Sequence, residues 1–598
     1  MAALNTRFLS VGARPRPGGH RPYRILTHVA GAALLVVVGV LLLYPLLSFL
    51  LLSFVPGLFG QAGGGVGSFA RALDGYALEA LRNSLLVGVV SAVISAALGL
   101  LLSWLARRTT LPEGRVIEGL MWVLLLTPSY LVSVGWLALI QRGGVLSGLG
   151  LDWPGLRTVI LGPSGVILVL ALAHVPFSYL ATASAWSGVG GELDEAARVH
   201  GVRPSRRTWL TVRLLAPAVA AAFAVSFAES LGDFGVASTL AANAHFPVAT
   251  FAIYRALYAN PLDFPLASAT SWLLLLITGV ALLLQARVAR RARAYASLTG
   301  RSRPPRRVPL GWAGTVTARL GLTALVLLAL GIPALGTVVS AFLRRISDGL
   351  SVPNITLEYF VAAAHTGLGG PFMYSALLAV LAATVAVALG LGLAGLLSRP
   401  TPLARGLDLA LLGAMATPGL VLAAGYIFAF NRPFLPLYGT SWLLGVSYAA
   451  GGMPSTSRLL LGPVTQLHRS LGEAARTHGL GPGAVLRTIT VPLLAAPLFS
   501  AWLLSATHIM FELPMSQLLY PPGSPPLPVA LVSCSNNFDY SLGAALELEA
   551  VGLVLLAVWA LRWIFARVVP AGWQRATVPA TPSAVEPHPA SIPPAGTA

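Results

Sequence analysis

The chain has 598 residues, of which 56% are hydrophobic and only 10% charged, with a mean hydropathy of +0.78. That composition excludes an ordinary soluble domain and describes a polytopic membrane protein. The formal charge of +19 raises the question of nucleic acid, but the basic residues are dispersed through short loops between apolar runs, which excludes a nucleic-acid face.

The apolar runs are continuous rather than alternating, so they read as helices of about 20 residues each and not as barrel strands. The fold class expected is therefore an all-α polytopic membrane protein with about twelve transmembrane helices. The first six fall near 27–54, 83–106, 116–141, 158–184, 216–240 and 267–286. The second six fall near 315–343, 372–398, 404–430, 437–461, 494–520 and 544–566. Residues 1–26 form a basic N-terminus with Arg7, Arg14, Arg16, Arg21 and Arg24. The run behind them is too long for a signal peptide and is expected to remain as the first span. The two series occupy 27–286 and 315–568 and are joined by an arginine- and proline-rich linker at 287–314. The tail, 569–598, is rich in Pro, Ala and Thr and is expected to be disordered. Trp122, Trp272, Trp442 and Trp563 lie near span ends, where indole rings anchor at the interface.

Arginine placement orients the chain. The heavy clusters, at the N-terminus, at Arg107, Arg108 and Arg115, between Arg198 and Arg213, and through the linker, share one side. Arg71, Arg82, Arg142, Arg157, Arg255, Arg344, Arg345 and Arg432 make a thinner set on the other. Both termini are thus expected in the cytoplasm.

All 39 basic residues are arginine. A phosphate-binding Walker A loop needs a lysine, so ATP hydrolysis, if it drives this protein, belongs to another polypeptide. The single cysteine, Cys534, excludes an internal disulfide and a cysteine metal cluster. No cofactor and no resident metal site is expected.

One segment occurs twice in the cytoplasmic loops. Glu195-Ala196-Ala197-Arg198-Val199-His200-Gly201 recurs as Glu473-Ala474-Ala475-Arg476-Thr477-His478-Gly479, with Pro204 and Pro482 three residues past each glycine. Good helix formers run up to a glycine suited to a left-handed helix end, and each proline suits the first turn of a second helix. The spacing predicts a short helix, a turn and a helix re-entering the membrane. Glu195 and Glu473 are expected in the first helical turn, where the dipole favours them. The paired alanines leave a face that a groove can approach.

These residues resemble the hallmark of the membrane-spanning permeases of binding-protein-dependent ABC importers, a cytoplasmic loop reading Glu-Ala-Ala, three variable residues, then Gly. The resemblance implies two homologous six-helix MetI-like halves, with docking loops at 192–217 and 470–497. It also implies an ATPase subunit on each loop, docked through Glu195, Ala196, Ala197, Gly201 and Glu473, Ala474, Ala475, Gly479. An extracytoplasmic substrate-binding protein would deliver cargo to the other face, and the lipid membrane would surround the whole. The family's later Leu-Pro is approximated by Val491-Pro492, whereas the first copy has Leu214-Leu215-Ala216-Pro217. The fused layout narrows the resemblance to the ferric-iron, thiamine and phosphonate permeases. Glu229-Ser230-Leu231-Gly232-Asp233-Phe234-Gly235-Val236-Ala237 and Phe511-Glu512-Leu513-Pro514 with Leu518-Leu519-Tyr520-Pro521-Pro522-Gly523 resemble their local patterns. Ferric iron is the first cargo implied, with thiamine, phosphonate and polyamine or sulfate-type anions behind it.

Glu229, Asp233 and Glu512 lie at membrane depth, where acidic groups are costly and face a bundle interior or water. Two readings stand: they line the translocation path, or they cap broken helices. His174 and His508, also in apolar runs, read as hydrogen-bonded core residues. An ion-coupled secondary transporter or a membrane scaffold is the rival class, and neither needs a repeated docking loop.

Overall fold

The computed structural model describes residues 20–59, 65–151, 153–186, 191–293, 307–433 and 435–570. Most of the basic N-terminus, much of the linker and nearly all of the tail therefore lie outside the described residues.

Two series of helices repeat one plan. In the first, α1 (His20–Val38) and α2 (Tyr44–Leu50) make the first span, α3 (Gly75–Arg108) the second, and α4 (Gly114–Leu126) with α5 (Ser129–Ile140) the third. Then come α6 (Pro163–Trp186), the short α7 (Gly191–Val199), α8 (Pro204–Gly232), α9 (Ala249–Tyr258) and α10 (Phe264–Arg293). The second series is α11 (Trp312–Val326), α12 (Ile332–Phe342), α13 (Met373–Leu397), α14 (Pro402–Met415), α15 (Gly419–Phe430) and α16 (Ser441–Gln466). It ends with α17 (Arg469–Thr477), α18 (Pro482–Val485), α19 (Ala495–Met510), α20 (Pro514–Leu519), α21 (Leu527–Asn536) and α22 (Tyr540–Val568). Among the described residues, 9 helices are long and apolar enough to cross a membrane, or 11 if each of two bent pairs is one span. The expected count of twelve is not reached, and α16, which carries Pro454 and Pro463, is not among those helices.

Four expected spans are broken, each for a local reason. The runs at 116–141 and 404–430 are interrupted at Thr127-Pro128 and Thr417-Pro418. A residue before proline is pushed out of the helical region, and Thr127 is extended at ψ 115°. In both copies the threonine hydroxyl donates back to the carbonyl four residues earlier, 2.8 Å to Val123 and 2.9 Å to Gly413. The second break turns the chain by 105°. The expected spans 216–240 and 494–520 end at Gly232 and Met510, and a new short helix starts beyond each. At the linker, α10 continues past the expected boundary to Arg293. Trp272 is not a simple interfacial anchor: its indole N–H donates to the Leu50 carbonyl at 2.9 Å.

Close approach at small residues holds each series together, as expected where lipid gives helices no hydrophobic reason to associate. Gly99 lies against Ser178 of α6, and Gly390 lies against Thr456 of α16. The Ser178 and Ser226 hydroxyls are 2.8 Å apart, and Thr456 donates to the Ala386 carbonyl at 2.9 Å.

The first span of each series crosses to the other. A methyl group on Gly425 of α15 would strike the Pro45 carbonyl, and one on Gly135 of α5 would strike that of Pro333. Both prolines follow a wide helical turn, at Gly39–Leu43 and Leu327–Gly331. Proline has no N–H for the carbonyl four residues back. The freed Leu41 carbonyl accepts the Tyr426 hydroxyl at 2.8 Å.

Candidate functional site

The two repeated segments fold as their spacing predicts at their C-terminal ends. Gly201 and Gly479 adopt φ +66° and +76°. In the first copy the Val202 N–H reaches back to Ala197 at 2.9 Å and the Gly201 N–H to Arg198 at 3.0 Å, the paired bonds of a Schellman ending. In the second, the Leu480 N–H bonds Ala475 at 3.0 Å. Pro204 and Pro482 open the following helices. Two expectations need correction. Because α7 starts at Gly191 and α17 at Arg469, Glu195 and Glu473 sit in the second turn, where the dipole has largely faded. Only the first alanine of each pair is open: Ala196 and Ala474 are exposed, whereas Ala197 and Ala475 pack inward. Glu195 and Glu473 are exposed.

The exit paths differ. From Pro204 the chain runs as one helix, α8, to Gly232. From Pro482 it turns by 78° before α19.

At the far end of α8, Asp233 is extended and caps the turn beyond it: its carboxylate accepts the Val236 N–H at 2.7 Å, as an N-cap aspartate does. Its other oxygen lies 3.8 Å from His174 Nε2, both side chains being buried. His174 Nδ1 is 3.0 Å from the Ser230 hydroxyl, which accepts from Ser91 at 3.1 Å. Glu512 does the same work at the end of α19. It accepts the Met515 N–H at 3.3 Å, and its second oxygen is 3.7 Å from His508 Nε2. His174 is thus the hydrogen-bonded core residue expected, but His508 is largely exposed. Glu229, one turn before Asp233, is exposed and joins no such cap among the described residues.

The breaks meet across the two series. A Cβ on Gly232 would stand 3.7 Å from Pro418 of the second series, and within that series one on Gly419 would stand 3.4 Å from Glu512 Oε1. On the opposite side, Gly235 fits tightly against Ser129 and Tyr130. The Tyr130 phenol, buried and without a hydrogen-bond partner among the described residues, is within electrostatic reach of Glu547 and Glu512. Sequence reasoning missed Glu547, which is buried in α22, and the paired Thr-Pro breaks. The recurrence of Thr-Pro in both third spans was the available signal. A hydropathy reading passes over it because both runs stay apolar. Among the described residues, no group of three or more His, Cys, Asp or Glu side chains could hold a metal ion.

Residues 114–294 match the model of the binding-protein-dependent transport system inner membrane components. The chain is 30% identical over 183 residues to the molybdenum transport permease ModB of Escherichia coli, covering 78% of that protein and 30% of this one. It belongs to this family. The permease is 27% identical over 451 residues to FbpB 1 of Haemophilus influenzae, named for ferric transport, covering 73% of this chain and 69% of that one. It is 26% identical over 259 residues to PhnV of Salmonella typhimurium, named for 2-aminoethylphosphonate transport, covering 43% and 98% respectively. The permease is a multi-pass inner-membrane subunit of an ABC importer, not itself an enzyme, and it works with an ATPase and a substrate-binding protein.

Proposed function

We propose that this permease carries both translocator halves in one chain, 27–286 and 315–568, and docks one ATPase copy on α7 and a second on α17. Its termini and both docking helices face the cytoplasm. The observation that carries this reading is the second occurrence of the same helix ended by a positive-φ glycine, with glycine and proline in register. The remaining docking contacts are assigned to Glu195, Ala196, Glu473 and Ala474, whose side chains are open. ATP-driven closure brings the two helices together and rocks the halves about the seam where Gly232 meets Pro418. Such coupling needs two states with different contacts, and the helix breaks beside Asp233 and Glu512 are the hinges that provide them.

The cargo we propose is ferric iron. The relative matched over 451 residues is named for ferric transport, whereas PhnV accounts for 43% of the chain. Glu229, Asp233 and Glu512 are assigned to the path, with acidic groups that suit a cation. Reconstitution with its ATPase and binding protein, followed by uptake of radioactive iron, tests the cargo. Uptake of a phosphonate or thiamine instead of iron refutes it.

A further inference from the structure

Beyond Asp233 the seam ends in tyrosines. The helix α8 spans 29 residues, so this end lies about 43 Å from the docking turn at Pro204. In α9, Tyr254 and Tyr258 are one turn apart, and their rings stack at 5.4 Å and 12°. From the second series, Gln517 of α20 donates to the Tyr254 hydroxyl at 3.2 Å. The Gln517 carbonyl oxygen is buried with no partner among the described residues. Tyr520 ends α20, and Tyr438 follows the small hairpin at 431–436; a Cβ on the next residue, Gly439, would stand 3.6 Å from Pro522, two residues past Tyr520. The phenols of Tyr258 and Tyr520 are within electrostatic reach of both Tyr254 and Tyr438. Tyr258 is 64% exposed and Tyr438 47%, so the group opens outward. Nearby basic groups point elsewhere: Arg255 lies over the Tyr76 ring at 4.6 Å, and Arg432 lines a groove beside Tyr44 and Leu47.

We infer that Tyr254, Tyr258, Tyr438 and Tyr520, with the Gln517 carbonyl, form a receiving site for a hard trivalent cation at the mouth of the seam. The inference rests on the ferric reading above. Phenol and amide oxygens are hard donors, and four phenols contributed by both series can exchange partners as the halves rock. A metal–oxygen bond forms as the phenol O–H breaks and its proton passes to water. The site passes cargo inward, toward the Glu512 carboxylate at the other end of the short α20.

The test uses the purified full chain and the reconstituted complex. Ferric citrate added to the chain is expected to give a visible phenolate-to-iron charge-transfer band. The band is expected to be lost in the quadruple Tyr→Phe variant at 254, 258, 438 and 520. The milder Tyr258→Phe/Tyr438→Phe variant, altered only at exposed positions, is expected to lose part of the band and to slow iron uptake with ATPase activity retained. Iron uptake by the wild-type complex without any band, or a band unchanged in the quadruple variant, overturns the site while leaving the cargo reading intact. A band in a complex that takes up no iron overturns the cargo reading, and the receiving role with it.

Discussion

Replacing Gly201 and Gly479 by valine isolates the backbone as the source of coupling. Both glycines have positive φ, and a Cβ built on either meets nothing within 4 Å. A valine therefore does not clash, and its whole effect comes from the left-handed conformation. That conformation costs an L residue about 1–2 kcal/mol, which converts to a roughly five- to thirty-fold loss of the correctly ended helix at each site. Asparagine visits the left-handed region far more readily, so Gly201→Asn and Gly479→Asn should retain most function. The assay is ATPase co-purification together with uptake in the reconstituted complex. The double variants Glu195→Ala/Gly201→Val and Glu473→Ala/Gly479→Val should each weaken association, to a similar extent, if one ATPase copy docks on each helix as proposed. Full assembly and transport in both double variants would refute the docking role. Equal losses for valine and asparagine would refute the conformational argument alone.

The Asp233 and Glu512 carboxylates separate their two roles by substitution. Asp233→Asn keeps a side-chain acceptor for Val236, so capping alone predicts near-normal transport. A path role predicts that Asp233→Asn and Glu512→Gln lower uptake while assembly and ATPase activity persist. Asp233→Ala removes the cap and should cost about 0.5–2 kcal/mol, read as a lower melting temperature of the purified chain. Gly135→Leu and Gly425→Leu should each displace the crossing first span, visible as loss of folded, monodisperse protein in detergent, whereas Leu139→Met, one turn from Gly135, should be tolerated. Normal yield of both glycine variants would contradict the crossed arrangement. In a Cys534→Ser background, a cysteine placed at Ser205 or Gly481 should resist an impermeant thiol reagent in intact cells, and ready labelling would reverse the proposed orientation.

Much of the proposed docking region was legible in the amino-acid order because its determinants are local. A left-handed helix end needs glycine, a helix start tolerates proline, and both conditions are met within ten residues at Gly201–Pro204 and Gly479–Pro482. Composition alone likewise established a membrane protein, since 56% hydrophobic residues in continuous runs admit little else. The equivalence of Asp233 and Glu512 could be counted from their distance to the two glutamates, but their capping bonds could not. What only the tertiary structure decided was where spans break and what they touch. Hydropathy registers side-chain transfer into lipid, and Thr127-Pro128 and Thr417-Pro418 barely change that sum while they stop a helix. The crossing of the first spans depends on backbones meeting at Gly135 and Gly425, hundreds of residues from their partners. The tyrosine mouth brings together Tyr254 and Tyr520, each ordinary in its own segment, through the packing of one half against the other.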